Sequence, residues 1–296
     1  MGRYPLGGAA AGGRDAAYNT SIIDFPARTM TTDTAVATQE RLVLRSDANG
    51  VATLTLNRPQ QYNALSEELL DQIIPALEAI EQDASVRVVV IAGNGPAFCA
   101  GHDLKQMRAN PSQDYYRKLF AQCSRMMLAI ARIPQPVIAR VHGIATAAGC
   151  QLVAQCDLAV ASESARFAVS GINVALFCST PSVPLGRNVL RKQAMEMLLT
   201  GDFIDAATAQ RYGLVNRVAP PDRLDAEVAA LAQRIVDKSA VAVTTGKRMF
   251  YKHLEMGLEA AYQYAAETMA CNMMAEDVGE GIDAFMQKRP AKWKHK

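Results

Sequence analysis

Two short stretches of the chain combine small residues with groups able to act on a carbonyl. In "FCAGHDLKQM" (98–107), Ala100-Gly101-His102-Asp103 follows an apolar run, and in "HGIATAAGCQL" (142–152) small residues run from Gly143 to Gly149. Backbone N–H groups at the start of a helix or turn have no intrahelical partner, and small side chains let a ligand approach them. The helix N-terminus adds potential that favours an anion. One N–H from each stretch would make an oxyanion hole, which stabilises a developing negative charge. Close packing at a strand–helix junction calls for the same small residues, so either stretch alone leaves both readings open. Metal chemistry is not expected. Cys99, Cys123, Cys150, Cys156, Cys178 and Cys271 form no C-x-x-C pair, and His102, His142, His253 and His295 have no ligand spacing beside them. Neither a G-x-x-x-x-G-K-[ST] loop nor a strand-linked G-x-G-x-x-G is present, which disfavours nucleotide binding of those kinds.

The elements that would position these stretches follow from periodicity. "VATLTLNRP" (51–59) alternates as a strand and stops at Pro59. In "SEELLDQIIPALEAIEQD", Ser66 is a candidate N-cap, Glu67 and Glu68 fill the first turn, and Leu69, Ile73, Leu77 and Ile80 recur at helical spacing. Pro75 inside this helix should kink it. "VRVVVIAG" (86–93) and Val137–Val141 read as strands covered on both faces. A helix over roughly 112–132, a short one near 148–155, and strands at 157–162 and 213–218 complete an α/β alternation. After residue 218 two or three helices are expected and no strand, the first helix carrying Leu224, Val228, Leu231 and Ile235 on one face.

The chain of 296 residues has a net charge of +2, from 31 basic and 29 acidic side chains. That balance gives no reason to expect nucleic acid or an anionic membrane as partner. No apolar run approaches the roughly 18 residues of a membrane span. Scattered thiols read as buried and reduced, so a cytoplasmic location is expected, with the mitochondrial matrix as the alternative. Residues 1–36 read as a disordered or over-called N-terminal extension. Acids at Asp15, Asp24 and Asp33 count against a transit peptide.

Together the motifs resemble the crotonase (enoyl-CoA hydratase/isomerase) superfamily from about residue 40 to the C-terminus. "LNRPQQYNAL" is similar to its N-R-P-x-x-x-N-A-L, "VVVIAGNGPAFCAGHDLKQM" to its strand plus A-G-x-D loop, and "PQPVIARVHGIATAAGCQLVAQCDLAVASESARFA" to its strand, small-residue helix and C-D strand. "TGDFIDAATAQRYGLVNRV" and "EGIDAFMQKRPAKW" resemble later signatures, and "FAVSGINVALFCSTPSVPLGR" is most like the subgroup of enoyl-CoA hydratase domain-containing protein 3. The resemblance implies an α/β spiral of ββα units, an acyl-CoA-binding core over 37–220, and a helical trimerisation region over 221–296. Coenzyme A would enter as part of the substrate with no separate cofactor, and the assembly would be a homotrimer or a dimer of trimers.

The resemblance also assigns residues. The oxyanion donors map to the backbone N–H groups of His102 and Ala148, and substrate contacts to Arg58, Ala64, Ala100, His102, Asp103, Leu104, Lys105 and Ala148. Phe285, Lys288 and Arg289 are expected to help complete a CoA pocket, either in the same subunit or in a neighbour. Hydratases of the family carry two glutamates, whose positions hold Gln151 and Gly171 here. A neutral amide cannot act as a carboxylate base, so two-glutamate hydration is not expected. The A-G-H-D loop is also similar to that of the superfamily's methylmalonyl-CoA decarboxylases, but Cys178 stands where those place a tyrosine. Asp103 is expected to orient the loop or cap a helix, and the His102 ring to be held by its neighbours. His142 is expected to be structural, and Asp114, Tyr115 and Tyr116 to lie on a helix able to border the acyl pocket.

Overall fold

The alternation in "VATLTL" produces one arm of a hairpin. β1 (Val43–Ala48) and β2 (Val51–Leu56) pair antiparallel across Asn49-Gly50. Both turn residues have positive φ, 51° and 76°, which matches the right-handed twist of the strands they join. The computed structural model describes residues 40–296; the extension over 1–36 lies outside the described residues. α1 (Glu67–Glu81) is capped by Ser66, whose hydroxyl accepts the Leu69 N–H at 3.3 Å, and it buries Leu69, Ile73, Leu77 and Ile80. Pro75 lies within it without dividing it into two elements.

Thereafter the chain advances in strand–strand–helix steps. β3 (Val88–Gly93) and β4 (Ala97–Cys99) lead to α2 (Leu104–Ala109) and α3 (Gln113–Arg132). β5 (Val137–Val141) and β6 (Ile144–Thr146) lead to α4 (Ala148–Gln155). β7 (Leu158–Ser162) and β8 (Arg166–Ala168) lead through a 3₁₀ turn at Ser170–Val174 to α5 (Ser179–Asn188) and α6 (Arg191–Thr200). β9 (Ile204–Asp205), α7 (Ala206–Tyr212) and β10 (Arg217–Ala219) follow. In each of the three central steps the first strand joins a six-stranded sheet, ordered β1-β2-β3-β5-β7-β10, and the second joins a four-stranded sheet, ordered β4-β6-β8-β9. Splitting every pair between two sheets winds the chain into the expected ββα spiral. It also stacks the segments after β4, β6 and β8 side by side, which gathers the two loops of interest.

β3 shows why a near-continuous apolar strand is needed. Val88 and Val90 face one core, with Ile138, Val160 and the α8 (Leu224–Val236) residues Leu224 and Val228; Val89 and Ile91 face the larger core on the other side. Leu231 and Ile235 are only partly buried against that smaller core.

Two expectations need correction. Four α-helices, not two or three, follow residue 218 among the described residues: α8, α9 (Ala240–His253), α10 (Leu258–Met273) and α11 (Glu276–Met286). The last strand is Arg217–Ala219 rather than 213–218, because Gly213 (φ 84°) ends α7 and turns the chain first.

The one buried side chain of α9 is Lys247. Its ammonium donates to the Asp157 carboxylate at 2.7 Å and to the Ile130 and Gln135 carbonyls at 2.9 Å each. Asp157 also accepts the Tyr251 hydroxyl at 2.8 Å and the Val137 N–H at 2.6 Å. Burial lowers the Lys247 pKa from its usual value, opposed by the neighbouring Asp157 charge.

Candidate active site

Gly101 is where the two loops meet. Its φ of +93° suits glycine, and a Cβ there would lie 2.9 Å from the Ala147 Cβ and 3.1 Å from the Ala148 nitrogen. The Leu65 N–H donates to the Gly101 carbonyl at 2.7 Å, and the Asp103 N–H reaches the Leu65 carbonyl at 3.4 Å. This parallel bridge between Leu65 and His102 uses the groups on either side of His102 and leaves its own N–H unspent. In the second loop the Ala147 N–H is taken by the Ala168 carbonyl at 3.0 Å, while Ala148 opens α4 with no side-chain cap. Among the described residues, no hydrogen bond uses the His102 or the Ala148 N–H. Ala147 holds φ 50° and ψ −120°, a sparsely populated conformation for a residue with a Cβ. Close packing operates in the same loop: a Cβ on Gly149 would overlap the Cys99 carbonyl oxygen and come within 2.7 Å of its carbon.

His102 and Ala148 both line a cleft of about 490 Å³, whose lining also includes Ala64, Ala100, Asp103, Leu104, Lys105, Gly171 and Cys178. Arg58 stands behind the wall rather than in it. Its guanidinium donates to the Ala64 carbonyl at 2.7 Å and pairs with Asp103 at 3.1 Å. The other Asp103 oxygen caps α2 through the Lys105 and Gln106 N–H groups, at 3.1 and 3.2 Å. Burial works against the Asp103 charge, yet these N–H groups and Arg58 together hold its carboxyl below the usual range. Asp103 is therefore committed to shaping the loop.

The His102 ring packs edge-on against Phe120, with centroids 5.4 Å apart at 68°. Both ring nitrogens are buried without a partner, and burial lowers the ring's pKa. Phe120 lines the cleft with Val174, Leu176 and Phe177, residues that sequence reasoning did not single out. The i, i+4 spacing of Tyr116 and Phe120 on α3, where their rings stack 6.5 Å apart, was the available signal. Asp114, Tyr115 and Tyr116 are not among the lining residues. His142 lies elsewhere, with Nε2 on the Gly95 carbonyl at 2.8 Å. Phe285, Lys288 and Arg289 do not line the cleft of this chain, and Arg289 pairs with Glu280 at 2.6 Å.

At the two glutamate positions the structure is specific. Gln151 is buried in the first turn of α4, its Oε1 has no partner, and it does not line the cleft. Gly171 lines the cleft but has no room to grow. A Cβ there would overlap the Leu176 carbonyl oxygen and fall 2.8 Å from the Cys178 sulfur. The turn is closed by the Leu176 N–H on the Gly171 carbonyl at 3.0 Å and by the Gly171 N–H on Cys178 Sγ at 3.3 Å. Burial pushes the Cys178 thiol above its usual pKa, which keeps it protonated and a poor nucleophile. Gly171→Glu, alone or with Gln151→Glu, is expected to lose about 1–3 kcal/mol of stability and to gain no hydration of an enoyl-CoA. Thermal melts and the loss of enoyl absorbance would check both.

Known proteins resemble this chain in sequence and in fold. The model of the enoyl-CoA hydratase/isomerase family matches residues 46–296. Enoyl-CoA hydratase domain-containing protein 3, mitochondrial, from Rattus norvegicus is 42% identical over 257 residues, covering 87% of this chain and 86% of that protein. The human protein of the same name is 41% identical over 275 residues, covering 92% and 91%. The crystal structure of an enoyl-CoA hydratase from Mycobacterium smegmatis superposes with a TM-score of 0.85 at 60% identity, covering 86% of this chain and 99% of that one. The human domain-containing protein 3 structure gives 0.83 at 42% identity, covering 86% and 100%.

Proposed function

This chain belongs to the enoyl-CoA hydratase/isomerase family, and we propose that its cleft binds an acyl-CoA and stabilises a thioester enolate between the backbone N–H groups of His102 and Ala148. The observation that carries this reading is the pair of unspent donors brought together across Gly101. Fixed N–H dipoles aimed at a developing oxyanion need no reorganisation as the charge forms. Lys105, Leu104 and Asp103 would border the CoA moiety, and the apolar wall of Phe120, Leu176 and Phe177 the acyl group.

Two-glutamate hydration is not part of the proposal, because Gly171 admits no side chain and Gln151 lies off the cleft. The same observation favours a decarboxylase-like reaction as the second reading. A malonyl-type thioester breaks its own C–C bond, sends the electron pair into the enolate and releases CO₂. The enzyme then supplies a proton to the α carbon rather than a base, and the protonated Cys178 thiol lines the cleft. A non-catalytic acyl-CoA-binding protein is the remaining alternative. Tight binding without turnover across enoyl-, hydroxyacyl- and malonyl-type CoAs would establish that alternative; turnover of any of them would sink it.

The direct test is Ala148→Pro. Proline is tolerated at the first residue of a helix but carries no N–H. Loss of that donor is expected to reduce turnover by roughly 10²–10³-fold, with the melting temperature as control. An unchanged rate would overturn the oxyanion assignment. We further propose a homotrimer or dimer of trimers. Support comes from the apolar side chains that the C-terminal helices leave exposed, Met269 at 71% and Phe285 at 85% among them, and light scattering would check it. For location, no helix among the described residues is long and apolar enough to cross a membrane. The rat and human relatives are named as mitochondrial proteins, which favours the mitochondrion over the cytoplasm for this chain.

A further inference from the structure

One polar feature of the cleft is used by neither the oxyanion assignment nor the family's acid positions. Thr146, the last residue of β6, and Ser170, the first of the 3₁₀ turn, bring their hydroxyls within 2.7 Å of each other. Neither has a second hydrogen-bond partner among the described residues. Ser170 lines the same cleft as Ala148 and Gly171, and it follows closely on Ala168, whose carbonyl accepts the Ala147 N–H at 3.0 Å. Thr146 and Ala168 are paired across β6 and β8, which fixes Thr146 in the sheet and the chain two residues before Ser170. The same wall carries the apolar side chains of Val174, Leu176 and Phe177.

Three of the other polar side chains that line the cleft are already constrained. The His102 ring nitrogens have no accessible surface, Cys178 Sγ is engaged by the Gly171 N–H, and Asp103 caps α2 and pairs with Arg58. A hydroxyl pair contains two protons and spends one on itself. When Thr146 donates to Ser170, the Ser170 proton is free to point into the cleft and is polarised by the bond it accepts.

Resting on the acyl-CoA reading above, we propose that Ser170 is a specificity-determining residue. It donates a hydrogen bond to an oxygen carried by the acyl group close to the thioester, and Thr146 is the positioning residue that orients it. In this proposal a thioester held at the Ala148 N–H would direct its first acyl carbons toward Ser170, which lines the same cleft. An acyl group with a hydroxyl or keto oxygen there satisfies the free proton; a plain alkyl chain leaves it unpaired.

Calorimetric titration of 3-hydroxybutyryl-CoA and butyryl-CoA into the intact protein and three variants tests the assignment. The unmodified protein is expected to prefer the hydroxy ligand. Ser170→Ala is expected to weaken the hydroxy ligand about tenfold and butyryl-CoA less than about twofold. Thr146→Val, nearly isosteric, should weaken only the hydroxy ligand, by about threefold. Adding it to Ser170→Ala should cost nothing further, and Ser170→Thr should restore most of the preference. Equal weakening of both ligands in Ser170→Ala, no weakening, or no preference in the unmodified protein would overturn the proposal while leaving the acyl-CoA reading intact. If the unmodified protein binds neither ligand, the acyl-CoA reading falls, and this proposal with it.

Discussion

Gly149→Ala is expected to lose about 3 kcal/mol of stability or more and, in the protein that remains folded, most of its affinity for acyl-CoA. The added methyl would occupy the position of the Cys99 carbonyl oxygen. Neither the β4 backbone nor the first turn of α4 can yield as a flexible side chain would. Relief requires α4 to retreat from β4, and its first residue is Ala148. Stability and binding should therefore fall together. Chemical denaturation and titration with an acyl-CoA would check this. Gly246→Ala on α9, where an added Cβ would meet nothing within 4 Å, is the control and should change neither.

Removing Lys247 has the second large effect. Truncating one partner of a buried ion pair leaves the other charge uncompensated, at a cost of about 3–5 kcal/mol. Lys247→Met is expected to lower the melting temperature by roughly 10 °C or more, since the Asp157 carboxylate would be left with only Tyr251 and the Val137 N–H as partners. Combining it with Asp157→Asn should recover more than half of the loss. The binding cleft lies on other elements, so acyl-CoA affinity in the folded fraction should stay within about twofold. A loss of stability without a binding defect distinguishes this pair from Gly149.

The elements that could be read from the chain are those with long periodic signals. α1, with its Ser66 cap, β3, the helix at 113–132 and α4 stand close to where their spacing puts them. The four-stranded sheet was invisible because its strands have only two or three residues each. No alternation can develop over that length, and their pairing comes from the winding of the whole chain. The proposed donor positions His102 and Ala148 follow from the resemblance on top of a local argument about small residues. That argument cannot separate packing from ligand approach; the structure shows close packing both at Gly149 and at Gly101. Arg58 was assigned to the substrate, but its charge is spent on Asp103 and Ala64. The spacing between Arg58 and Asp103 gives no hint of that pairing. Ser170 and Thr146, 24 positions apart, form a pair that only tertiary structure creates.

The closure of the turn at Gly171 bears on how such a site can change its chemistry. A carboxylate at that position is disfavoured by a main-chain oxygen and a sulfur contributed by residues five and seven positions later. The turn must first be rebuilt around Leu176 and Cys178 before an acid there could be tolerated, so the order of substitutions matters. A library mutating position 171 alone should yield no gain of hydratase activity. One that varies the length and composition of 172–178 together with it opens the accessible route.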